Sequence, residues 1–203
     1  MGLHNAPRSI YFSVENTSFA PFSLWLGNGG RLQRRRARGT YEPHVMEFLD
    51  DHVDSDTVFW EIGAAWGYFS IAVASVATAV VAFEREEERA AKIEASMEVN
   101  GLQNVISKSE KVDGTSEFTS YPEPNICLVD IEGWEYSFLE RFLPSHSRDM
   151  TWIVEIHDDL IGVEGGDSVS LVAGLFESNG YETEALNPYT SHNPHYVAWP
   201  DYP

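Results

Sequence analysis

Four carboxylic acids each follow a short apolar run, and this repeated arrangement is the first sign of chemistry in the sequence. They are Glu61, Glu84, Asp130 and Glu155. Two of them belong to pairs spaced two residues apart, Asp130 with Glu132 and Glu155 with His157. Carboxylates and imidazoles can accept a proton from a substrate or hold it in position. The sequence therefore predicts a site built at the ends of several buried strands.

A glycine-rich turn follows the first apolar run, in the segment V-F-W-E-I-G-A-A-W-G-Y-F-S-I at residues 58–71. Gly63 and Gly67 let the backbone approach a ligand closely, because they lack a Cβ atom. A dinucleotide fold would have G-x-G-x-x-G here, but Ala65 and Tyr68 occupy the second and third glycine positions. The alternative role of the two glycines is tight packing of a strand against a helix.

The acids near this turn favour S-adenosylmethionine (SAM) over a phosphate-bearing cofactor. Glu61 lies just before the first glycine, where it would repel a phosphate but suits the amino group of a cationic ligand. Glu84 can accept hydrogen bonds from the two vicinal hydroxyls of a ribose. An acid-x-Gly-x-x-x-Gly turn with a second acid at the next strand end thus predicts a SAM site.

Apolar runs alternate with helical patterns from residue 41 onward, which predicts an α/β fold with a mostly parallel sheet. The predicted strands lie at 58–60, 79–83, 104–107, 126–131 and 152–156, followed by an antiparallel hairpin at 181–186 and 195–199. In such sheets ligands bind at the carboxyl ends of the strands. We expect residues 1–40 to form a strand and turn extension packed on the core, and residues 41–203 to form the SAM-binding domain.

Several segments together resemble the successive motifs of FkbM-type SAM-dependent methyltransferases. They are the glycine turn, V-V-A-F-E, E-V-N-G-L-Q-N-V, C-L-V-D-I-E-G-W-E and I-V-E-I-H-D, between about Gly39 and Asp159. The resemblance implies a class I methyltransferase fold, a Rossmann-like three-layer sandwich with a seven-stranded, mostly parallel sheet and an antiparallel C-terminal hairpin. It also implies O-methylation of a hydroxyl on a sugar, glycan or other natural product.

The same resemblance implies roles for individual residues. The predicted cofactor-binding residues are Glu61, Gly63, Ala65, Gly67, Tyr68, Glu84, Ser109 and Glu110. Glu61 and the two glycines would line the amino-acid end of SAM, Glu84 its ribose, and the loop at Ser109 its adenine. Ala65 stands where the family usually has Asn, and Leu128 where it usually has Lys, which leaves the details of substrate positioning open.

Adjacent strands in the methyltransferase order would bring the two spaced pairs together beside the methyl donor. Methyl transfer to oxygen requires an in-line approach and removal of the hydroxyl proton by a base. His157 is the first candidate base and Asp130 the second, with Glu132 and Glu155 orienting the substrate or the histidine. The same cluster could hold a hard divalent cation, although none is predicted, or be chance surface charge.

The formal net charge is −19, from 32 acids against 13 lysines and arginines. Such self-repulsion destabilises a compact state at low ionic strength, and salt screens it. We interpret the charge as halophilic adaptation to a salty cytoplasm, and we expect no nucleic-acid partner. An ordinary acidic enzyme is the alternative.

Five of the ten arginines fall within residues 31–38 and reverse the sign of the charge locally. They could hold an anionic substrate or contact an acidic lipid surface. We favour the simpler interpretation, a solvated connector whose arginines pair with the protein's own carboxylates.

Neither a transmembrane segment nor a signal peptide is visible in the sequence. The single cysteine, Cys127, lies in an apolar run and is expected to be buried and inert. We therefore predict a cytoplasmic location.

Three functions remain open at this point. The first is a SAM-dependent methyltransferase acting on a small-molecule or glycan hydroxyl. The alternatives are an NAD-dependent oxidoreductase and a non-catalytic Rossmann-like module that binds an anionic partner. The oligomeric state is left open.

Overall fold

The computed structural model describes most of the chain from residue 11 onward. The described residues are 11–14, 17–19, 21–25, 35–36, 38–114, 118–145, 149–157, 159–160, 167–187 and 194–200. Two members of the arginine cluster, Arg31 and Arg34, lie outside this set.

The described strands form two sheets. Strands β1 (Tyr11–Val14) and β2 (Phe22–Trp25) make a small antiparallel pair. The main sheet contains β3 (Val58–Ile62), β4 (Ala79–Glu84), β5 (Val105–Ser109), β6 (Ile126–Val129), β7 (Thr151–Glu155), β8 (Tyr181–Ala185) and β9 (His195–Pro200). Its order is β5-β4-β3-β6-β7-β9-β8, and only β9 runs antiparallel to its neighbours. The predicted fold class is confirmed.

The described helices alternate with these strands. They are α1 (Pro43–His52), α2 (Tyr68–Val73), α3 (Glu87–Asn100), α4 (Glu135–Phe142) and α5 (Ser168–Ser178). Gly101 ends α3 in the left-handed conformation, as a helix C-cap glycine commonly does. None of the described helices is long and apolar enough to cross a lipid bilayer.

Two hydrophobic clusters cover the opposite faces of the main sheet. In β3, Phe59 belongs to one cluster, while Trp60 and Ile62 belong to the other. This division follows from the alternation of side chains along a strand. Because both faces are buried, the central strands are almost continuously apolar, which is why they stand out in the sequence.

The small sheet packs against the outer face of α3. Asn100 Oδ1 accepts a hydrogen bond from the Ser23 amide at 2.8 Å, and Asn100 Nδ2 donates to the Ser23 carbonyl at 2.7 Å. Ser96 Oγ accepts from the Trp25 amide at 3.0 Å. These side chains satisfy backbone groups of β2. The division of the chain near residue 40 stays a prediction.

Candidate functional site

The glycine turn lies where three strands end side by side. Gly63 has φ +92°, and a Cβ atom added to it would collide with the backbone oxygen of Asp130. The amides of Gly63 and Ala64 both donate to the Phe83 carbonyl at 2.9 Å. The turn therefore stays close to the ends of both β4 and β6, which only glycine permits at this position.

Glu84, at the end of β4, is fixed by the backbone of two loops. Its Oε2 accepts from the Ala65 amide and its Oε1 from the Glu86 amide, both at 2.8 Å. The residue is only 4% exposed, yet it lines a cleft. Each carboxylate oxygen retains a further lone pair, so Glu84 can still accept hydrogen bonds from a ligand.

This cleft opens at the carboxyl ends of β3, β4 and β6, where the sheet topology predicts a ligand. Six of the predicted site residues line it: Gly63, Ala65, Glu84, Glu110, Asp130 and Glu132. Sequence reasoning missed other residues of its lining, among them Arg85, Lys111, Val112, Trp134, Phe138 and Arg141. The position of Phe138 in the cleft could not be predicted from the sequence, because apolar residues that face the core and those that face a ligand follow the same helical pattern.

Four predicted cofactor residues do not line the cleft. Glu61 is 3% exposed and accepts hydrogen bonds from the Ser70 amide at 2.9 Å and from Ser70 Oγ. Burial raises the pKa of Glu61 to about 8, against the lowering effect of the Ser70 bonds. A Cβ atom on Gly67 would contact Ile93 of α3. Glu61 and Gly67 thus fix the start of α2 and its packing, and their contact with a ligand stays a prediction.

The other two residues are Tyr68 and Ser109. Tyr68 is 2% exposed and packs edge-on against Tyr41 with a ring separation of 5.4 Å. Ser109 closes β5, and the adjacent Glu110 is the residue that reaches the cleft.

The two spaced pairs do meet, because β6 and β7 are neighbours in the sheet. Asp130, Glu155 and His157 offer oxygen and nitrogen atoms that all lie within 4.8 Å of one another. Burial raises the pKa of Asp130 to about 6 and that of Glu155 to about 9. Their side chains share a hydrogen bond, which requires a proton on one of the two carboxyl groups.

Glu135 is a buried acid that was not among the predicted site residues. Acids are common at the start of a helix, but Glu135 is fully buried and accepts hydrogen bonds from the amides of Ile131 at 3.2 Å and Gly133 at 2.9 Å. The same oxygen lies 3.0 Å from His157 Nδ1. Glu135 therefore orients the histidine as well as the loop before α4. Only the burial of Glu135, which a sequence does not give, distinguishes it from its acidic neighbours.

His157 is held on both sides of its ring. Its Nε2 lies 3.4 Å from the exposed carboxylate of Glu132, and its Nδ1 faces Glu135. Burial alone would lower the pKa of His157, but the hydrogen bond to Glu135 and the charges of Glu135, Glu155 and Asp130 together raise this pKa to about 9. His157 does not line the cleft, whereas Asp130 does. The geometry therefore favours Asp130 over His157 as the candidate base.

Among the described arginines of the cluster, Arg36 is the one that reaches the core. Arg36 is 6% exposed, and its guanidinium carbon lies 4.3 Å from the centre of the Tyr41 ring. Tyr41 in turn is hydrogen-bonded to Glu42. A solvated connector, the interpretation that we favoured, does not describe Arg36.

The strand order, the glycine turn after β3 and the cleft at the carboxyl ends of the strands define a Rossmann-like class I methyltransferase fold. No protein-family model matches the sequence, and no curated protein matches it either.

Solved structures with this fold include three methyltransferases. The precorrin-6y C5,15-methyltransferase of Geobacter metallireducens is 18% identical, with a TM-score of 0.59 over 79% of this chain and 87% of that chain. A T. thermophilus 16S rRNA methyltransferase, in complex with AdoMet and guanosine, is 13% identical, with a TM-score of 0.66 over 94% of this chain and 50% of that one. The ribosomal protein L11 methylase of Lactobacillus delbrueckii subsp. bulgaricus is 11% identical, with a TM-score of 0.62 over 78% and 77%. At these identities the likeness establishes the fold.

The comparison overturns our prediction about partners. We expected a small-molecule or glycan hydroxyl and excluded nucleic acid because of the net charge. That prediction is wrong, since proteins of this fold include an rRNA methyltransferase and a ribosomal protein methylase. Net charge describes the whole molecule, whereas a partner meets a local surface, and here Arg85, Lys111 and Arg141 line the cleft.

Proposed function

We propose that this protein is a SAM-dependent methyltransferase. The observation that carries the proposal is Glu84, a carboxylate fixed by two backbone amides at the wall of the cleft, 21 residues after Gly63. A fixed acid of this kind can accept both ribose hydroxyls of an adenosine. Acidic groups beside the glycine turn also disfavour a pyrophosphate, which an NAD cofactor would carry.

The cleft offers a place for each part of SAM. Gly63 and Asp130 lie next to each other in the lining of the cleft, and the Asp130 carboxyl group suits the amino group and the charged sulfur of SAM. Glu84 would bind the ribose. The loop that contains Glu110 and Val112 lies beyond Glu84 and would cover the adenine, in place of the predicted Ser109.

SAM supplies an electrophilic methyl group on a positively charged sulfur. Asp130 lines the cleft and would take the proton from the acceptor, with the exposed Glu132 beside it to orient the acceptor. The freed electron pair forms the new bond to the methyl carbon, and the pair of the broken carbon–sulfur bond stays on sulfur. The products are the methylated acceptor and S-adenosylhomocysteine.

A hydroxyl oxygen is our proposal for the acceptor atom, and it derives from the resemblance to FkbM-type methyltransferases. Labelled SAM incubated with RNA, protein and metabolite fractions would identify the class of acceptor directly.

Replacing Glu84 by Gln should weaken SAM binding about 10- to 100-fold, because a charge-assisted pair of hydrogen bonds contributes about 1.5–3 kcal/mol. The measurement is calorimetric titration with SAM and with NAD in about 1 M KCl, where the Debye length is about 3 Å. Glu94→Gln is the matched control, since it removes the same charge from the exposed face of α3. Binding of NAD without SAM, or equal SAM affinity in the wild type and Glu84→Gln, would contradict the proposal.

A further inference from the structure

Three side chains from distant parts of the sequence meet next to the group formed by Asp130, Glu155 and His157. Glu42 precedes α1, Glu155 ends β7 and His195 begins β9. His195 Nε2 lies 3.4 Å from Glu42 Oε2 and 3.8 Å from Glu155 Oε2. The three side chains are 17%, 13% and 4% exposed, in the order Glu42, Glu155 and His195.

The separations between these atoms suit a shared ion better than direct hydrogen bonds. A hydrogen bond from a ring nitrogen to a carboxylate spans about 2.7–3.2 Å. Two ligand atoms bound at about 2.1 Å to one tetrahedral ion are instead about 3.4 Å apart. The three ligand atoms of this group all lie within 4.8 Å of one another, which makes them candidate ligands of one ion.

The surrounding structure sets the orientation of His195. Its Nδ1 lies 3.0 Å from His44 Nε2, which leaves Nε2 as the atom that faces the two carboxylates. His195 is also directly opposite Glu155 in the antiparallel pairing of β7 with β9. A second group that engages the other ring nitrogen of a histidine is the usual support of a metal ligand.

Several carboxyl groups lie close together in this region. Glu42, Asp130 and Glu155 interact electrostatically with one another, and Arg36 and His157 offset part of their charge. Tyr68, which interacts with Glu42, has a buried hydroxyl with no hydrogen-bond partner among the described residues. Buried carboxylates normally require a cation or a full set of donors.

We propose that Glu42, Glu155 and His195 bind one divalent transition-metal ion of the Zn²⁺ class. One imidazole nitrogen with two carboxylate oxygens is a donor set that Zn²⁺ accepts, and it leaves a coordination position open. The ion would join the segment before α1 to β7 and β9, and thus fix the wall of the site behind Asp130. The metal site itself does not depend on the proposed function. Its effect on the part of the site that contains Asp130 does rest on that function.

A neighbouring group competes for the same ion. Asp130, Glu155 and His157 also lie within 4.8 Å of one another. There, however, both nitrogens of His157 already face carboxylates, those of Glu135 and Glu132. Variants of the two histidines separate the sites, because each histidine belongs to only one of them.

The test is to load the full chain with one equivalent of Zn²⁺, desalt it into about 1 M KCl to remove weakly held ions, and measure bound zinc by elemental analysis. We expect about one zinc per chain in the wild type and in His157→Gln. In His195→Gln and in Glu42→Gln the affinity should fall at least tenfold. The melting temperature of the wild type should rise with Zn²⁺, and that of His195→Gln should not.

Three results would overturn the assignment: no retained zinc in the wild type, unchanged zinc in His195→Gln, or loss of zinc in His157→Gln alone. Melting curves in EDTA establish that each variant is folded before zinc is added. SAM titration in EDTA separates this proposal from the preceding one. If SAM binds but zinc does not, only the metal-site proposal is wrong. If zinc binds but SAM does not, only the methyltransferase proposal is wrong.

Discussion

Gly63 follows β3 and lies directly against the ends of both β4 and β6. Its amide bonds to the end of β4, and its missing side chain leaves room for the backbone that follows β6. The candidate cleft exists because these three strand ends converge without an intervening side chain. Any side chain at this position must push the end of β6 away, together with Asp130.

We expect Gly63→Ala to lower the free energy of unfolding by about 2–4 kcal/mol, from the positive φ and the backbone collision together. Gly101→Ala is the matched control, because it has φ +67° but no atom within 4 Å of the added Cβ. Its loss should be about 1–2 kcal/mol, from the conformational term alone. Chemical denaturation of both variants measures the difference, and equal losses would show that the collision with Asp130 is relieved without strain.

Single residues also show where sequence reasoning ends. Glu84 could be singled out because it follows an apolar run at a spacing that a ribose ligand explains. Glu135 could not, because acids at the start of a helix are common and its burial depends on how α4 packs. Arg36 could not be separated from the other arginines of its cluster for the same reason. Burial of a charged side chain is a tertiary property, and the local sequence does not encode it.

At the scale of elements, α3 supports both the site and the N-terminal strands. Its inner face packs Ile93 against the glycine turn, while its last turn holds β2 through Ser96 and Asn100. Both ends of the Asn100 amide are used, one for each backbone group of Ser23. One helix therefore connects the small sheet to the turn that shapes the cleft.

Asn100→Ala should loosen β2 without unfolding the main sheet. Loss of the two hydrogen bonds to Ser23 is expected to lower the free energy of local opening of β2 by about 1–3 kcal/mol. Hydrogen exchange should then accelerate at Ser23 and Trp25 and remain unchanged in β3. Glu98→Ala, an exposed change in the same helical turn, is the control. Equal acceleration throughout the main sheet would show that β1 and β2 are part of one cooperative unit with the core.

Most of the elements could be predicted, because each buried strand is a short apolar run bounded by turn residues. The strand predicted at 79–83 is β4, which ends one residue later, at Glu84. The order of the strands in the sheet could not be predicted from the apolar runs. It came with the resemblance to known methyltransferases, since apolar patterns do not specify which strands are neighbours.

At the scale of the whole molecule, the charge of −19 is the dominant property. Acids far outnumber cations, so the compact state carries a repulsion that unfolding relieves. The comparison with known structures corrects what we inferred about partners from this charge, but it does not bear on salt adaptation. That interpretation stays a prediction.

The melting temperature should rise as KCl increases from about 0.01 M to about 1 M, over which the Debye length falls from about 30 Å to about 3 Å. Calorimetry or circular dichroism at constant pH measures this directly. A neutral osmolyte such as sucrose, at matched osmolality, is the control for exclusion effects on burial. Maximal stability without added salt would contradict the salt-adaptation hypothesis.

The position of β9 has a consequence for synthesis on the ribosome. This strand is late in the chain, yet it lies inside the sheet between β7 and β8. While residues 195–200 are still inside the ribosome, β7 forms an unpaired edge of the sheet. At that stage β8 has no strand to pair with. Two unpaired strand edges are then exposed at once, and such edges promote association between chains. Completion of the sheet, together with the arrival of His195, therefore waits until residues 195–200 have left the ribosome.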